Sequence, residues 1–315
     1  MTQSTMQNFS GAEFKNKATG FQTPTQLPCD EAQRGKWQSM NRAWWESTPM
    51  RYDWREALHA PVGTKAYFEE IDFRFLASVY KYMPWKNVPF ETLIPFNELA
   101  DRDVLEIGTG LGTHAQLLSP RSKSFTGIDL TETASDSTAL RLRLFGLPGR
   151  ILRMDAEEMR FTSNSFDYIW SWGVIHHSAD TRRVLEEMRR VLRLGGKATV
   201  MVYHRSWWAY YFSALLRGVF RGQLKRYGNL HTVAQAATDG AIARYYTPYE
   251  WREISRGLFD IESIKIFGLK AEILPFPPGR LKRLFEKSIP DAFGRLLTNH
   301  LRLGSFLVAE MRRVP

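Results

Sequence analysis

The sequence predicts an α/β fold, a doubly wound parallel sheet, and three observations carry the prediction. From Arg102 onward, short apolar runs alternate with amphipathic helical segments, the pattern of consecutive strand–helix–strand units. The first run, 104–107, leads into Gly108-Thr109-Gly110-Leu111-Gly112 and then a helical stretch. Glycines stand where a backbone turns tightly or where a ligand approaches it without a Cβ in the way. The composition of the 315 residues, 43% hydrophobic and 24% charged, is that of a globular chain, long enough for one large domain with appendages.

In chain order, residues 1–28 are rich in Ser, Thr, Asn and Gln, reach Pro24 and Pro28, and read as a flexible arm. Residues 29–98 form an aromatic-rich region of mostly helical spacing, broken near Pro61 and Pro84. Its Trp44, Trp45, Tyr52 and Trp54 serve either as a lid or as packing of a helical subdomain, and packing is the expectation for most of them. The main domain spans 99–315, with strands expected at 104–107, 125–128, 150–154, 168–171, 198–203, 261–267 and 306–310. Between the fifth and sixth runs lies an insertion, 204–258. The clearest helix follows Asp180: Val184, Leu185, Met188, Val191 and Leu192 share one face. Asp180 suits its N-cap and Gly195 its C-terminal stop.

The site is expected at the glycine turn. Free N–H groups at the following helix start favour polar or anionic ligand groups. Asp129 ends the next strand, where a carboxylate accepts both ribose hydroxyls of a nucleoside. Asp155-Ala156 ends the third, where an acid and a backbone N–H read an adenine edge. The glycine spacing is GxGxG, so the third glycine falls one place early for the dinucleotide fingerprint. Glu106, an acid inside a buried parallel strand, calls for an amino group as its partner. A nucleoside joined to an amino acid points away from a nicotinamide cofactor.

Five motifs in order, VLEIGTGLG (104–112), FTGIDL (125–130), MDAEEMRF (154–161), FDYIWSWGVIHHSAD (166–180) and VLRLGGKATV (191–200), make this third of the chain resemble class I S-adenosylmethionine-dependent methyltransferases. The resemblance is to the broad group that includes quinone-biosynthesis enzymes. It implies a Rossmann-like seven-stranded sheet, mostly parallel with the last strand antiparallel, carrying helical N-terminal and inserted cap segments. It implies S-adenosylmethionine as cofactor. Gly108, Thr109, Gly110 and Gly112 would hold its methionine part and Glu106 its amino group. Asp129 would bind the ribose with Leu130 beside the adenine, Asp155 and Ala156 would read the adenine, and the Ser171 carbonyl would lie near the methyl group. His176 and His177 follow the fourth strand, where the family's active site opens. Each is a candidate general base, or merely a brace for the cofactor pocket. His204 and Arg205, just past the fifth strand, are candidate substrate contacts.

The acceptor is expected to be a small, lipophilic or aromatic metabolite. The alternatives are an RNA methyltransferase and a non-catalytic binding protein. The net charge of +10 favours an acidic partner, but the Asn/Asp-Pro-Pro-Tyr signature of nucleobase amine methylation is replaced by Ser171-Trp172-Gly173, so nucleic acid is not the expected substrate. The single cysteine, Cys29, excludes a disulfide framework, a cysteine zinc site and the cysteine set of arsenic methylation. No acid stands near Ser171 to hold a catechol-type metal, so no metal is expected. No apolar run reaches the roughly 20 residues of a membrane span, and the N-terminus lacks a signal-peptide core; a cytoplasmic location is the expectation. The stretch from Trp207 to Leu216, apolar except for Ser213 and followed by Arg217, Arg221, Lys225 and Arg226, suits either a cap folded over the site or peripheral membrane contact. The cap is the preferred expectation.

Overall fold

The computed structural model describes residues 23–53, 56–274 and 279–315. Most of the expected arm (1–22) and Trp54 lie outside the described residues. Residues 23–28 are not loose as expected for the arm: the Pro24 carbonyl accepts from the Tyr245 N–H at 2.9 Å, and Gln26 accepts from Arg244 Nε at 2.7 Å. These bonds satisfy backbone that would otherwise be solvated, and they tie the segment to the insertion.

The strands are β1 (Asp103–Ile107), β2 (Ser124–Asp129), β3 (Arg150–Arg153), β4 (Phe166–Trp172), β5 (Leu192–His204), β6 (Tyr245–Tyr246), β7 (Phe259–Phe267) and β8 (Phe306–Arg313). They form one sheet in the order β3-β2-β1-β4-β5-β8-β7, with the two-residue β6 beside β5. β1 to β5 run parallel, and β8 lies antiparallel between β5 and β7. The expected seven strands are therefore present, with the last one antiparallel, and β6 is added. Helices cover both faces, as the near-continuous apolar strands require. On one face Leu105 and Ile107 pack with Val184, Leu185 and Met188. On the other, Val104, Tyr168 and Trp170 pack with Phe75, Val79 and Phe90. Strand alternation puts Glu106 on this second, aromatic face.

The N-terminal region contributes α1 (Glu31–Ser47), capped by the Asp30 side chain, and α2 (Lys65–Tyr82), capped by Thr64. α2 fills the interval between the predicted breaks at Pro61 and Pro84. Within the core domain, α3 (Thr113–Leu118) follows the glycine turn, α4 (Glu132–Phe145) follows β2, and α5 (Thr181–Val191) follows β4. Asp180 caps α5 as expected, accepting from the Arg183 N–H at 3.2 Å. Gly195 does not end the helix. α5 stops at Val191 and Leu192 passes straight into β5, while Gly195, at φ +73°, serves an irregularity in the β4–β5 pairing. A left-handed residue is needed there because the strand re-enters the sheet without a loop.

The insertion holds a π-helical turn (Trp207–Phe212) continuing into α6 (Ser213–Phe220), then α7 (Gln223–Tyr227), α8 (Leu230–Ala236) and α9 (Pro248–Ser255). After β7 come α10 (Lys270–Ile273), α11 (Arg280–Ser288) and α12 (Asp291–Arg295). The apolar insertion segment does not fold over the site as preferred from sequence. Its Tyr210 and Ala214 pack on Val233 and Ala234 of α8, whereas Trp207, Tyr211 and Leu215 are exposed. The small Ala234 and Ala214 let the two helices approach closely, so the inner face is satisfied within the insertion itself.

Candidate active site

A cavity of about 650 Å³ lies over the C-terminal ends of β1, β2 and β4. This is the point where the strand order reverses, the usual crevice of an open α/β sheet. The glycine turn forms its floor. Gly108 and Gly110 sit at φ +79° and +53°, a region that L side chains enter only with strain. A Cβ on Gly108 would come within 2.2 Å of Val174, but one on Gly110 would meet nothing within 4 Å. Gly108 is therefore required by packing, and Gly110 keeps a path open along the turn.

The acids around the turn differ in how they are satisfied. Asp129 Oδ2 accepts from the Gly110 N–H at 3.1 Å, and Oδ1 accepts from the Thr131 N–H and hydroxyl at 3.0 and 2.8 Å. Burial raises the pKa of Asp129, and these hydrogen bonds oppose the rise. Asp155 Oδ1 accepts from Gln38 Nε2 of α1 at 2.8 Å and from the Glu157 N–H at 2.9 Å. Glu106 is different. It is 1% exposed, and neither carboxylate oxygen has a hydrogen-bond partner. Burial, with the nearby Asp129 charge adding to it, holds its pKa well above the carboxylate range. His114 Nδ1 lies 3.8 Å from Glu106 Oε1, but burial depresses the imidazole to about 3. The histidine is therefore neutral and no ion pair forms. The Thr109 hydroxyl is also buried without a partner.

Of the residues predicted to hold a cofactor, Gly108, Thr109, Gly110, Asp129, Leu130, Asp155 and Ala156 line this one cavity. Glu106, Gly112 and Ser171 are not among the lining residues. Gly112 caps α3 at φ +83°, and the Ser171 hydroxyl donates to the Ile107 carbonyl at 3.3 Å. The sequence treated His176 and His177 alike, but the structure separates them. His177 lines the cavity, with Nδ1 2.6 Å from the Ile242 carbonyl. A carbonyl oxygen only accepts, so Nδ1 is the donor in that bond. His176 is fully buried between the His177 and Tyr203 rings, at 4.1 and 4.0 Å. Burial pushes its pKa far down, and neither ring nitrogen has a hydrogen-bond partner. His204 and Arg205 are spent elsewhere: His204 Nδ1 meets the Gly304 carbonyl at 2.8 Å, and Arg205 pairs with Glu250.

The other end of the cavity was not read from sequence. The Tyr203 hydroxyl donates to Asp239 Oδ1 at 2.7 Å, and both residues line the cavity beside His177. The cavity is further lined by Trp45, Tyr52, Phe75, Trp172, Met201 and Phe306. Trp45 packs edge-on against the His177 ring at 5.0 Å, and with Tyr52 it makes two of the aromatics named from the N-terminal region part of the cavity lining. His114, Gln38 and Asp239 were also missed. His114 had a signal, since it lies in the first turn of the helix that leaves the glycine loop. Gln38 and Asp239 sit far from every motif and carried none. Arg141, fully buried on α4, pairs with Asp72 of α2 and donates to the Leu111 carbonyl at 3.1 Å. It locks the glycine loop to the N-terminal helices. Among the described residues, no group of three or more metal-ligating side chains occurs.

Comparison with known proteins places residues 105–200 in a family described as a methyltransferase domain. A phthiotriol/phenolphthiotriol dimycocerosates methyltransferase of Mycobacterium tuberculosis is 37% identical over 101 residues, which span 31% of this chain and 37% of that protein. A phosphatidylethanolamine N-methyltransferase of Cereibacter sphaeroides is 34% identical over 100 residues, 31% of this chain and 49% of its own length. A tRNA U34 carboxymethyltransferase of Methylococcus capsulatus is 35% identical over 102 residues, 31% of each chain. The shared segment thus spans less than half of each of these relatives. A solved S-adenosylmethionine-dependent methyltransferase from Methanosarcina mazei is 19% identical at a TM-score of 0.48, covering 73% of this chain and 99% of that one.

Proposed function

We propose that this chain, whose residues 105–200 match a family described as a methyltransferase domain, is a class I S-adenosylmethionine-dependent methyltransferase that methylates a small, largely apolar acceptor held at the far end of its cavity. The observation that carries the reading is the orphaned Glu106 carboxylate beside an open glycine turn. A buried acid without a partner is unfavourable, and an ammonium group presented at the turn would supply the partner. The remaining residues fit the rest of the same ligand: Asp129 for two ribose hydroxyls, and Leu130, Asp155 and Ala156 for an adenine. S-adenosylmethionine, when bound there, supplies a methyl group on a sulfonium open to in-line attack.

This chain's own residues position and desolvate. The φ-positive turn and its Asp129 contact hold the donor end rigidly, and the aromatic wall keeps water from the acceptor end. Holding the reacting atoms in line supplies much of the rate for such a displacement. His177, which lines the cavity, takes the proton of an acceptor hydroxyl or amine. The Tyr203–Asp239 hydrogen bond forms the polar face beside His177 that this group meets. Burial holds the Tyr203 phenol well above its ordinary range, so it stays a donor.

The reading is tested with the purified full chain, radiolabelled S-adenosylmethionine and an extract of the source cells, separated into organic-soluble, aqueous small-molecule and macromolecular fractions. Label in an organic or small-molecule fraction is expected. Label confined to nuclease-sensitive material would overturn the acceptor assignment in favour of RNA. No measurable affinity for S-adenosylhomocysteine would overturn the donor site itself.

A further inference from the structure

The segment from Trp207 to Phe220 is apolar on two faces, and the protein uses only one. Tyr210, Ala214 and Gly218 face inward onto α7 and α8. Trp207, Tyr211, Leu215 and Val219 recur every four residues on the outer face, and Phe220 stands beside them. Trp207, Val219 and Phe220 are 61%, 60% and 82% exposed. A contiguous row of this kind marks an interaction surface rather than scattered exposed residues.

Two further observations identify the occupant. Residues 206–228 contain no acid. Arg221, Lys225 and Arg226, directly after the row, are exposed, and none of them makes an ion pair among the described residues. The surface therefore joins an apolar strip to uncompensated positive charge. It is also continuous with the rim of the cavity. Trp208 Nε1 donates to the Ile273 carbonyl of α10 at 3.1 Å, Lys270 and Ala271 of α10 line the cavity, and so does Glu286 of the neighbouring α11. α11, which packs against α10, carries exposed Leu284 with exposed Arg280, Arg283 and Lys287.

We propose that this face is a docking surface for an anionic phospholipid bilayer, on which the helix lies in the interface plane. Apolar side chains enter the acyl boundary and the cations meet the headgroups. Among the described residues no helix is long and apolar enough to cross a membrane, so the contact is peripheral. Docking here brings the α10–α11 rim of the cavity to the lipid surface, a short route for a lipophilic acceptor. The surface itself does not depend on the methyl-transfer reading, because binding is measured without turnover.

The test is flotation of the full chain with vesicles of phosphatidylcholine alone and of phosphatidylcholine containing phosphatidylglycerol. Binding to the anionic vesicles is expected, at least tenfold weaker to the neutral ones and weakened by added salt. Phe220→Glu with Val219→Ser should lower partitioning at least tenfold, and Arg221→Glu with Lys225→Glu should do the same. Phe73→Ser, at an exposed aromatic on α2, should leave it unchanged. Circular dichroism and S-adenosylhomocysteine affinity at wild-type values establish that the variants are folded. No flotation of the folded wild type, or flotation indifferent to the substitutions, would overturn the proposal. A wild-type dimer in light scattering that Phe220→Glu converts to monomer would overturn it in favour of a second copy of the chain.

Discussion

Replacing Glu106 with glutamine separates the function of this acid from its burden on the fold. The carboxylate is buried, lacks a hydrogen-bond partner and lies 3.8 Å from a histidine that stays neutral. If it receives the ammonium of the cofactor, Glu106→Gln removes one charge-assisted hydrogen bond, about 1.5–3 kcal/mol. S-adenosylhomocysteine should then bind roughly 10- to 150-fold more weakly. Because burial raises the pKa of Glu106 in the free protein, binding a cationic group there expels a proton. Calorimetry in buffers of different ionisation enthalpy should show proton release, and affinity rising with pH until the free protein is already ionised. The glutamine variant should show neither effect. The stability of the ligand-free protein moves the other way. A carboxyl whose folded pKa is raised stabilises fully below its unfolded pKa, and that contribution is lost as pH rises through the folded pKa. The unfolding midpoint of Glu106→Gln should therefore gain on wild type as pH increases. Equal affinity and equal proton release in the two proteins would refute the assignment of Glu106 to the cofactor.

Four other outcomes follow from the same geometry. Asp129→Ala should weaken S-adenosylhomocysteine binding by roughly 1–3 kcal/mol by calorimetry, since it removes the carboxylate expected to meet the ribose. Gly110→Ala and Gly108→Ala should differ in kind: the first costs affinity with a strain of about 1–2 kcal/mol, while the second, driven into Val174, lowers the thermal midpoint further. Arg141→Met leaves Asp72 without its buried partner and should cost about 3 kcal/mol in urea unfolding. His177→Gln should reduce label transfer to the acceptor fraction on the order of a hundredfold if it takes a proton, with S-adenosylhomocysteine affinity unchanged.

The sheet was legible because its strands are short apolar runs punctuated by glycine and capped helices, all of which act locally. β1 and its turn are written in ten consecutive residues, and Asp129 ends a strand that the apolar period marks. The two histidines could not be told apart from sequence. Their fates depend on Tyr203 and Ile242, contributed by β5 and the insertion, which the topology alone brings beside them. The same holds for Gln38, which reaches Asp155 across 117 positions of chain. Gly195 was misplaced because a glycine that ends a helix and one that serves a strand irregularity share the same left-handed backbone. The outward row of the insertion was legible as an apolar run, but its exposure was not, since a helix apolar all round is ordinarily buried.

The two ends of the cavity are built from different parts of the chain, and this division decides what relatives can reveal. Glu106, Gly108, Gly110, Asp129 and Asp155 all lie at or next to strand ends within 105–200, the segment shared with known methyltransferases. Tyr203, Asp239, Tyr52 and Trp45 come from the flanks, which that match does not reach. The proposed donor end thus sits on the sheet's strand ends, while the proposed acceptor end is assembled from β5, the helix α1 and two loop residues. Gln38 is the exception, because it belongs to the flanking α1 and yet holds Asp155 by its amide while accepting from the Ala179 N–H at 3.1 Å. α1 therefore carries both Gln38, which bonds Asp155, and Trp45, which packs on His177. If the proposed acceptor packs against Trp45 and the donor meets Asp155, acceptor occupancy should raise donor affinity by the same factor that donor occupancy raises acceptor affinity, and calorimetry showing independent binding would refute the link.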